Sequence, residues 1–320
     1  MERAVSFRNK KGQRLFGILH LPEITTPLSR IGVNILNPGL KNRVAPNRIN
    51  VRIARMLCAR GFPVLRFDPC GIGDSEGELA EGNELNMDLW GMIQRGAFVP
   101  DTLVANDFFV REARLDHLAI IGQCGGAMTA MLAAARDARV HGVILVDLPV
   151  RLLSSKLDIA ELWLDTRTPD EMFREYLKKI FRARSWLNLV SMRSDFTTMK
   201  KVISRRFGAR PDRDQPGGAT SAGVSDRFLW PLLEACETFR ARAGRCSFIF
   251  AENDLAIKEF NQDLLPVLRG EDGSLPTGAA MHVVRDANHI YTEEAWQAEL
   301  LELVDRFMQQ TATTLSASPG

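Results

Sequence analysis

The stretch LAIIGQCGGAMTAML, from Leu118 to Leu132, decides how the chain is read. Its first half is a short apolar run that ends at Gly122, and its second half, from Gly126, is a helix of small and apolar residues. Between them Cys124 occupies the tip of a turn, in Gly122-Gln123-Cys124-Gly125-Gly126. That is the pattern of a nucleophile elbow, which presents a reactive side chain on a strained bend between strand and helix. The flanking residues must be small because strand and helix pass close together. The bend also sets the sulfur beside the free N–H groups and the positive end of the helix dipole. Two plainer readings compete: a small buried cysteine in a glycine-rich turn, and a dinucleotide-binding turn. The second needs G-x-G-x-x-G, which is absent here, and this turn follows a late strand. Residues elsewhere must decide against the first.

Outward from the elbow, short runs rich in β-branched residues alternate with helical patterns. Strands are predicted at Leu15–Leu21, Ile31–Leu36, Pro63–Asp68, Leu118–Ile121, Val140–Val146, Cys246–Phe250 and Ala280–Val284. Helices are predicted over Ile49–Arg60, Thr102–Arg114, Gly126–Arg136, Ile257–Leu268 and Thr292–Gln309. Runs that are apolar on both faces belong to strands buried in a mostly parallel sheet. The alternation therefore predicts an α/β fold with a doubly wound, mostly parallel sheet, whose ligands bind beyond the carboxyl ends of the strands. The pattern breaks between Arg151 and Arg227, where helical stretches lead into the loop GARPDRDQPGGATSAGVS. The expected organisation is a core of residues 1–150 and 228–310, a helical cap or lid at 151–227, and a flexible tail at 311–320, which is small and polar.

The 320 residues are 45% hydrophobic and 25% charged, with a net charge of +2. That length suits one α/β core carrying an insertion. No apolar run approaches the roughly 20 residues that span a bilayer, and the opening MERAVSFRNKKGQRL lacks the apolar centre of a secretory signal. Five cysteines without regular spacing fit neither a disulfide framework nor a zinc site. A reducing cytoplasm is the expected compartment, and no cofactor or metal is expected.

In sheets with a nucleophile elbow the chain order is nucleophile, acid, histidine. Five histidines allow elimination. His20 and His282 fall inside predicted strands, and His117 and His141 at strand beginnings, the wrong end of the sheet. His289, in VVRDANHIYTEEAW, follows a strand and precedes the last helix, so it is the expected base. The acid should follow the preceding strand, in FIFAENDLAIKEF. Asp254 is the first choice and Glu252 the second, with Asp286 a weaker rival because it is close to His289 along the chain. An Asp at such a place also serves as a helix N-cap. The oxyanion hole should pair the N–H of Gly125 with one from the turn Asn37-Pro38-Gly39, supplied by Leu40 or alternatively Gly39. Gly39, Gln123 and Tyr291 are expected to contact substrate.

Taken together, LNPGLKNR, LRFDPCGIGDSEG, GQCGG, FAEND and ANHIYTEEAW resemble the α/β-hydrolase superfamily. The resemblance is closest to serine-hydrolase and acyltransferase-like members, whose loops read H-P-G, D-x-R-G-x-G-x-S and G-x-S-x-G. It covers about residues 5–150 and 228–310, with every motif in order. Three positions depart from it. Cys124 stands where most members have Ser, Asn37 replaces the usual His of the oxyanion loop, and Pro69-Cys70 replaces an aromatic-Arg pair. Cys70 is read as a packed structural thiol, with a place facing the site as the alternative.

The resemblance implies acyl transfer through a Cys124-His289-Asp254 triad and an acyl-S-enzyme. Members with a cysteine include lactone hydrolases and thioesterase-like proteins that pass acyl groups between carriers. Between Arg174 and Arg210 there are eleven Lys or Arg against Glu175 and Asp195, a net +9. Such a surface suits an acidic carrier protein, the phosphates of CoA or an anionic membrane, or it is a solvated helix face. Nucleic acid fits poorly, because no recognition motif accompanies the basic residues. The expected function is a thioester hydrolase or acyltransferase acting on carrier-protein- or CoA-bound acyl groups. The alternatives are a carboxylester or lactone hydrolase, and a non-catalytic binding module with the same fold.

Overall fold

Runs that are apolar on both faces are satisfied only between two covering layers, and the chain builds both. The computed structural model describes residues 1–23, 30–79, 87–152, 228–270 and 272–317. The strands are β1 (Glu2–Arg8), β2 (Arg14–His20), β3 (Ile31–Ile35), β4 (Val64–Asp68), β5 (His117–Gln123), β6 (Val140–Val146), β7 (Arg245–Ala251) and β8 (Ala279–Val284). They form one sheet in the order β1-β2-β4-β3-β5-β6-β7-β8. β2 runs antiparallel to both its neighbours, and every other adjacent pair is parallel. The doubly wound, mostly parallel sheet predicted from the alternation is therefore present.

The helices are α1 (Ile49–Ala59), α2 (Met87–Gln94), α3 (Val99–Ala113), α4 (Gly125–Ala134), α5 (Trp230–Ala241), α6 (Leu255–Glu259), α7 (Leu265–Leu268) and α8 (Glu294–Ala317), with a π-helical turn, Phe260–Leu264, between α6 and α7. Alternate residues of β5 feed opposite layers, as the period of a strand requires. Leu118 and Ile120 pack with Phe109 of α3, Met131 of α4 and Phe239 of α5. Ala119 and Ile121 pack with Leu57 of α1 and with Leu300 and Val304 of α8. Each fully buried leucine-sized side chain contributes ~1.5–3 kcal/mol, so the two layers hold the strand ends firmly in place. Every residue of α4 is buried, which is why its sequence is apolar all round.

Several features differ from expectation, α2 among them, for which no helix was expected. β1 has no apolar run: it is an antiparallel edge strand, largely exposed, that tucks Phe7 against Phe108 at 4.7 Å. α5 lies where only a passage into β7 was expected, with a proline in its first turn, where the missing N–H costs nothing. The expected flexible tail at 311–320 is instead helical as far as Ala317, with Thr311 and Ala312 buried. The hydroxyls of Thr311, Thr313, Thr314 and Ser316 each bond back to the carbonyl four residues earlier, so a polar composition is absorbed within the helix itself. The chain divides into two units, Met1–Ser155 with Gly223–Gly320, and Lys156–Ala222. The expected cap at 151–227 and its basic stretch lie outside the described residues, apart from Arg151 and Leu152. Among the described residues no helix is long and apolar enough to cross a membrane.

Candidate active site

Cys124 sits between β5 and α4 with φ 54° and ψ −123°, a left-handed backbone that is costly for a residue with a Cβ. The cost is offset by bonds on both sides. The Cys124 N–H donates to the Val146 carbonyl at 2.8 Å, and its own carbonyl accepts from Ala127 at 2.9 Å to start α4. The side chain is only partly buried. Gly122 and Gly126 are required here: a Cβ on Gly122 would stand 2.6 Å from the Ala127 nitrogen. β5 and α4 touch backbone to backbone.

His289 lies in the loop between β8 and α8, and its Nδ1 is hydrogen-bonded to Oδ2 of Asp254. Asp254 follows β7 and does two things at once. Its Oδ1 caps α6 by accepting the Ala256 N–H at 2.9 Å, while the other oxygen holds the imidazole. Glu252, the second choice for the acid, accepts the Asp286 N–H at 2.8 Å instead. Burial opposes charge on His289, but hydrogen bonds to Asp254 and to Cys124 outweigh it and raise its pKa to about 11. The ring thus stands between a carboxyl and the sulfur. The other histidines are elsewhere. His20, lowered to about 4 by burial and Arg66, accepts from the Arg66 guanidinium, His282 lies within β8, and His117 and His141 stack edge-on at the starts of β5 and β6.

The turn after β3 meets the elbow directly. A Cβ on Gly125 would stand 2.9 Å from Cα of Gly39, so the two backbones touch. The Gly39 N–H is already bonded to the Asn37 carbonyl at 2.9 Å, which leaves Leu40 rather than Gly39 as a donor. Among the described residues, the Leu40 and Gly125 N–H groups have no acceptor. Asn37 shapes this turn with its amide, donating to the carbonyls of Gly39 and Lys41. Downstream, the fully buried Asp68 accepts the Arg43 N–H at 2.6 Å and pairs with its guanidinium. Cys70 is packed as expected, its N–H on Asp101 and its sulfur 3.3 Å from Gln13 Oε1, and burial pushes its thiol up.

Two residues expected at the substrate are otherwise engaged. Tyr291 is 0% exposed, within the layer under α1 and α8, so its ring packs the base of the loop instead of facing a ligand. Gln123 donates its amide to the His289 carbonyl at 2.6 Å, tying the elbow to the histidine loop. Gly39 packs beneath Trp90.

Sequence reasoning missed Asp147, which follows β6 and is wholly buried. Its Oδ1 accepts the Ala251 N–H at 2.8 Å, and its Oδ2 lies 3.9 Å from Nδ1 of His289. Burial first, and then the neighbouring Asp254, raise its pKa above the usual carboxyl range. The signal was available in VHGVILVDLPV, a lone acid ending a run of apolar residues at the functional edge of the sheet. Asp147, Asp254 and His289 form the only group among the described residues with side chains close enough to share a metal ion, but the His289 nitrogen involved is already taken by Asp254.

No protein-family model matches the sequence, and no curated protein is similar to it. Solved structures are similar along nearly the whole chain. An esterase of Pyrococcus furiosus is 13% identical over 97% of this chain and 91% of that one, with a TM-score of 0.54. A putative α/β hydrolase from Agrobacterium tumefaciens is 15% identical over 96% and 97% of the two chains, with a TM-score of 0.52. An α/β serine hydrolase without a lid, from Xanthomonas campestris, is 12% identical over 97% and 94%, with a TM-score of 0.50. Strand order, crossover pattern and these likenesses agree: the chain has the α/β-hydrolase fold.

Proposed function

We propose that the protein is an acyl-transfer enzyme that works through a thioester on Cys124, with His289 as base, Asp254 as its orienting acid, and the Leu40 and Gly125 N–H groups as the oxyanion hole. The reading is supported by the hydrogen bond between His289 and Asp254 and by the electrostatic influence of Cys124 on the same ring, although the three residues follow three different strands. In the reaction, the ring nitrogen not held by Asp254 already carries the proton taken from the thiol, as its raised pKa requires, and the sulfur attacks the substrate carbonyl from this ion pair. The two backbone N–H groups receive the charge that develops on oxygen, where a single donor of this kind is worth ~2.7–4 kcal/mol. Collapse breaks the bond to the leaving group, which departs with the proton from the imidazolium and leaves acyl-S-Cys124. A second acceptor, either water or an amine, thiol or alcohol, then repeats the cycle in reverse.

A sulfur nucleophile suits thioester substrates, because exchange between two thioesters is nearly balanced in energy. The net +9 of residues 174–210 supports an acyl donor on an acidic carrier protein or on CoA. The test is intact mass spectrometry after incubation with acyl-CoA and acyl-carrier donors. One acyl mass is expected on Cys124 and none on Cys124→Ala. An adduct that persists in Cys124→Ala, or no adduct across a broad panel, refutes the reading. Fast release of the acyl group to water, with chromogenic esters turned over continuously, would instead identify a carboxylester or lactone hydrolase. A stalled adduct discharged by added thiols or amines identifies a transferase.

A further inference from the structure

Behind His289 stands a second carboxyl that the scheme above leaves unused. The Asp147 side chain is 0% exposed and its Oδ2 lies 3.9 Å from His289 Nδ1. No hydrogen bond of ordinary geometry reaches that oxygen among the described residues, and its side-chain neighbours are the Tyr291 phenol and the Gln123 amide. The titratable groups acting on it come from the loops after β7 and β8: Asp254, His289 and the Tyr291 phenol. Cys124 stands on the far side of the ring, and the neutral Gln123 amide and Ala251 N–H complete the surroundings. Burying a carboxyl with one oxygen unmatched is unfavourable. Asparagine could accept the Ala251 N–H equally well, so the backbone bond alone does not account for an acid here.

We propose that Asp147 is a reserve acid for His289, a positioning residue that orients the imidazole when Asp254 cannot. The inference rests on His289 being the base of the proposed reaction. Two carboxylates against one imidazole do not both ionise readily. When the charge at position 254 is removed, Asp147 can lose its proton to solvent. A shift of the ring by about 1 Å then brings Nδ1 from 3.9 Å to hydrogen-bonding distance of Oδ2. The histidine regains a carboxylate on the same nitrogen, with its other nitrogen still towards Cys124.

The test compares wild type, Asp254→Asn, Asp147→Asn and the double variant, all full-length and all near-isosteric. The readout is the rate of Cys124 acylation by p-nitrophenyl acetate between pH 6 and 10, with the adduct located by mass spectrometry. Asp254→Asn should fall well below wild type at pH 7. Its advantage over the double variant should then grow about tenfold per pH unit while Asp147 ionises. Taking the ratio of single to double cancels the ionisation of Cys124 itself. Nitrogen-15 NMR of labelled histidine should show His289 protonated on Nδ1 in Asp254→Asn at high pH and lose that preference in the double variant. If the single and double variants share one pH profile and one tautomer, the reserve role is wrong while the triad stands. If wild type acylates no faster than Cys124→Ala, both fall.

Discussion

Gly122→Ala is the sharpest test of how the elbow is built. The new Cβ would lie 2.6 Å from the Ala127 nitrogen and press on the Gly126 carbonyl, whereas ordinary contact begins at 3.4 Å. Clearing the still nearer Gly126 carbonyl would therefore push the first turn of α4 away from β5 by more than roughly 1 Å. It has nowhere to go: every residue of α4 is buried, and Gly126 itself lies against the Asn37 carbonyl. Overpacking of this kind costs about 3 kcal/mol, offset by about 0.7 kcal/mol from the stiffer unfolded chain. The net loss of about 2 kcal/mol lowers Tm by about 4–8 °C in a domain of this size. The retreat also carries the Gly125 N–H away from Leu40, and a misplacement near 1 Å costs about 100-fold in rate. Thermal melting followed by circular dichroism, with Cys124 acylation measured alongside, checks both numbers. Gly273→Ala, with nothing within 4 Å and φ 77°, is the control that meets backbone strain alone. A Gly122→Ala protein that melts within about 1 °C of wild type and acylates normally would refute the argument.

Other outcomes follow from the same geometry. His289→Ala should lower kcat by about 10⁴-fold or more, measured by product release under saturating donor, whereas Cys124→Ser should keep hydrolysis better than transfer. Deleting residues 311–320 removes buried Thr311 and Ala312 and should cost about 1–2 kcal/mol, read as a lower urea midpoint; a flexible tail would leave it unchanged. Stability should also decline as pH rises. Asp147, raised by burial, keeps its proton in the fold at pH values where the unfolded chain has lost it, so the folded state binds more protons and is weakened from the ordinary carboxyl range upward until Asp147 itself ionises. Asp147→Asn should flatten that slope in urea titrations between pH 4 and 8. A slope equal to the wild type's would contradict the assignment.

Much of the fold is legible because β3 to β7 are buried on both faces and punctuated by Gly, Pro or Asp. β1 escapes because ERAVSFR is an edge strand whose outward residues are polar and exposed. The end of α8 escapes because hydroxyl-rich sequence reads as a loop unless its burial against Gly142 is known; a Cβ on Gly142 would lie 3.3 Å from the Thr311 methyl. At the site, Cys124, Asp254 and His289 are proposed from chain order and from their position after strands, and the hydrogen bond between His289 and Asp254 supports that choice. Tyr291 misled for the same reason. Adjacency to His289 along the chain says nothing about direction, and the ring is sealed in the core. Asp147 went unnoticed because its partners, Ala251 and His289, come from β7 and the loop after β8, contacts that local pattern does not reveal.

The strand order has a consequence for how the protein comes into being. The sulfur leaves β5 near the centre of the sheet, whereas the imidazole arrives only after β8, the outermost and last-made strand. Long-range parallel pairings of this kind form slowly and late. On the proposed mechanism, a nascent or half-finished molecule would carry a thiol without its imidazole and gain competence only when the final edge docks. Labelling of Cys124 during refolding would in effect time the closing step.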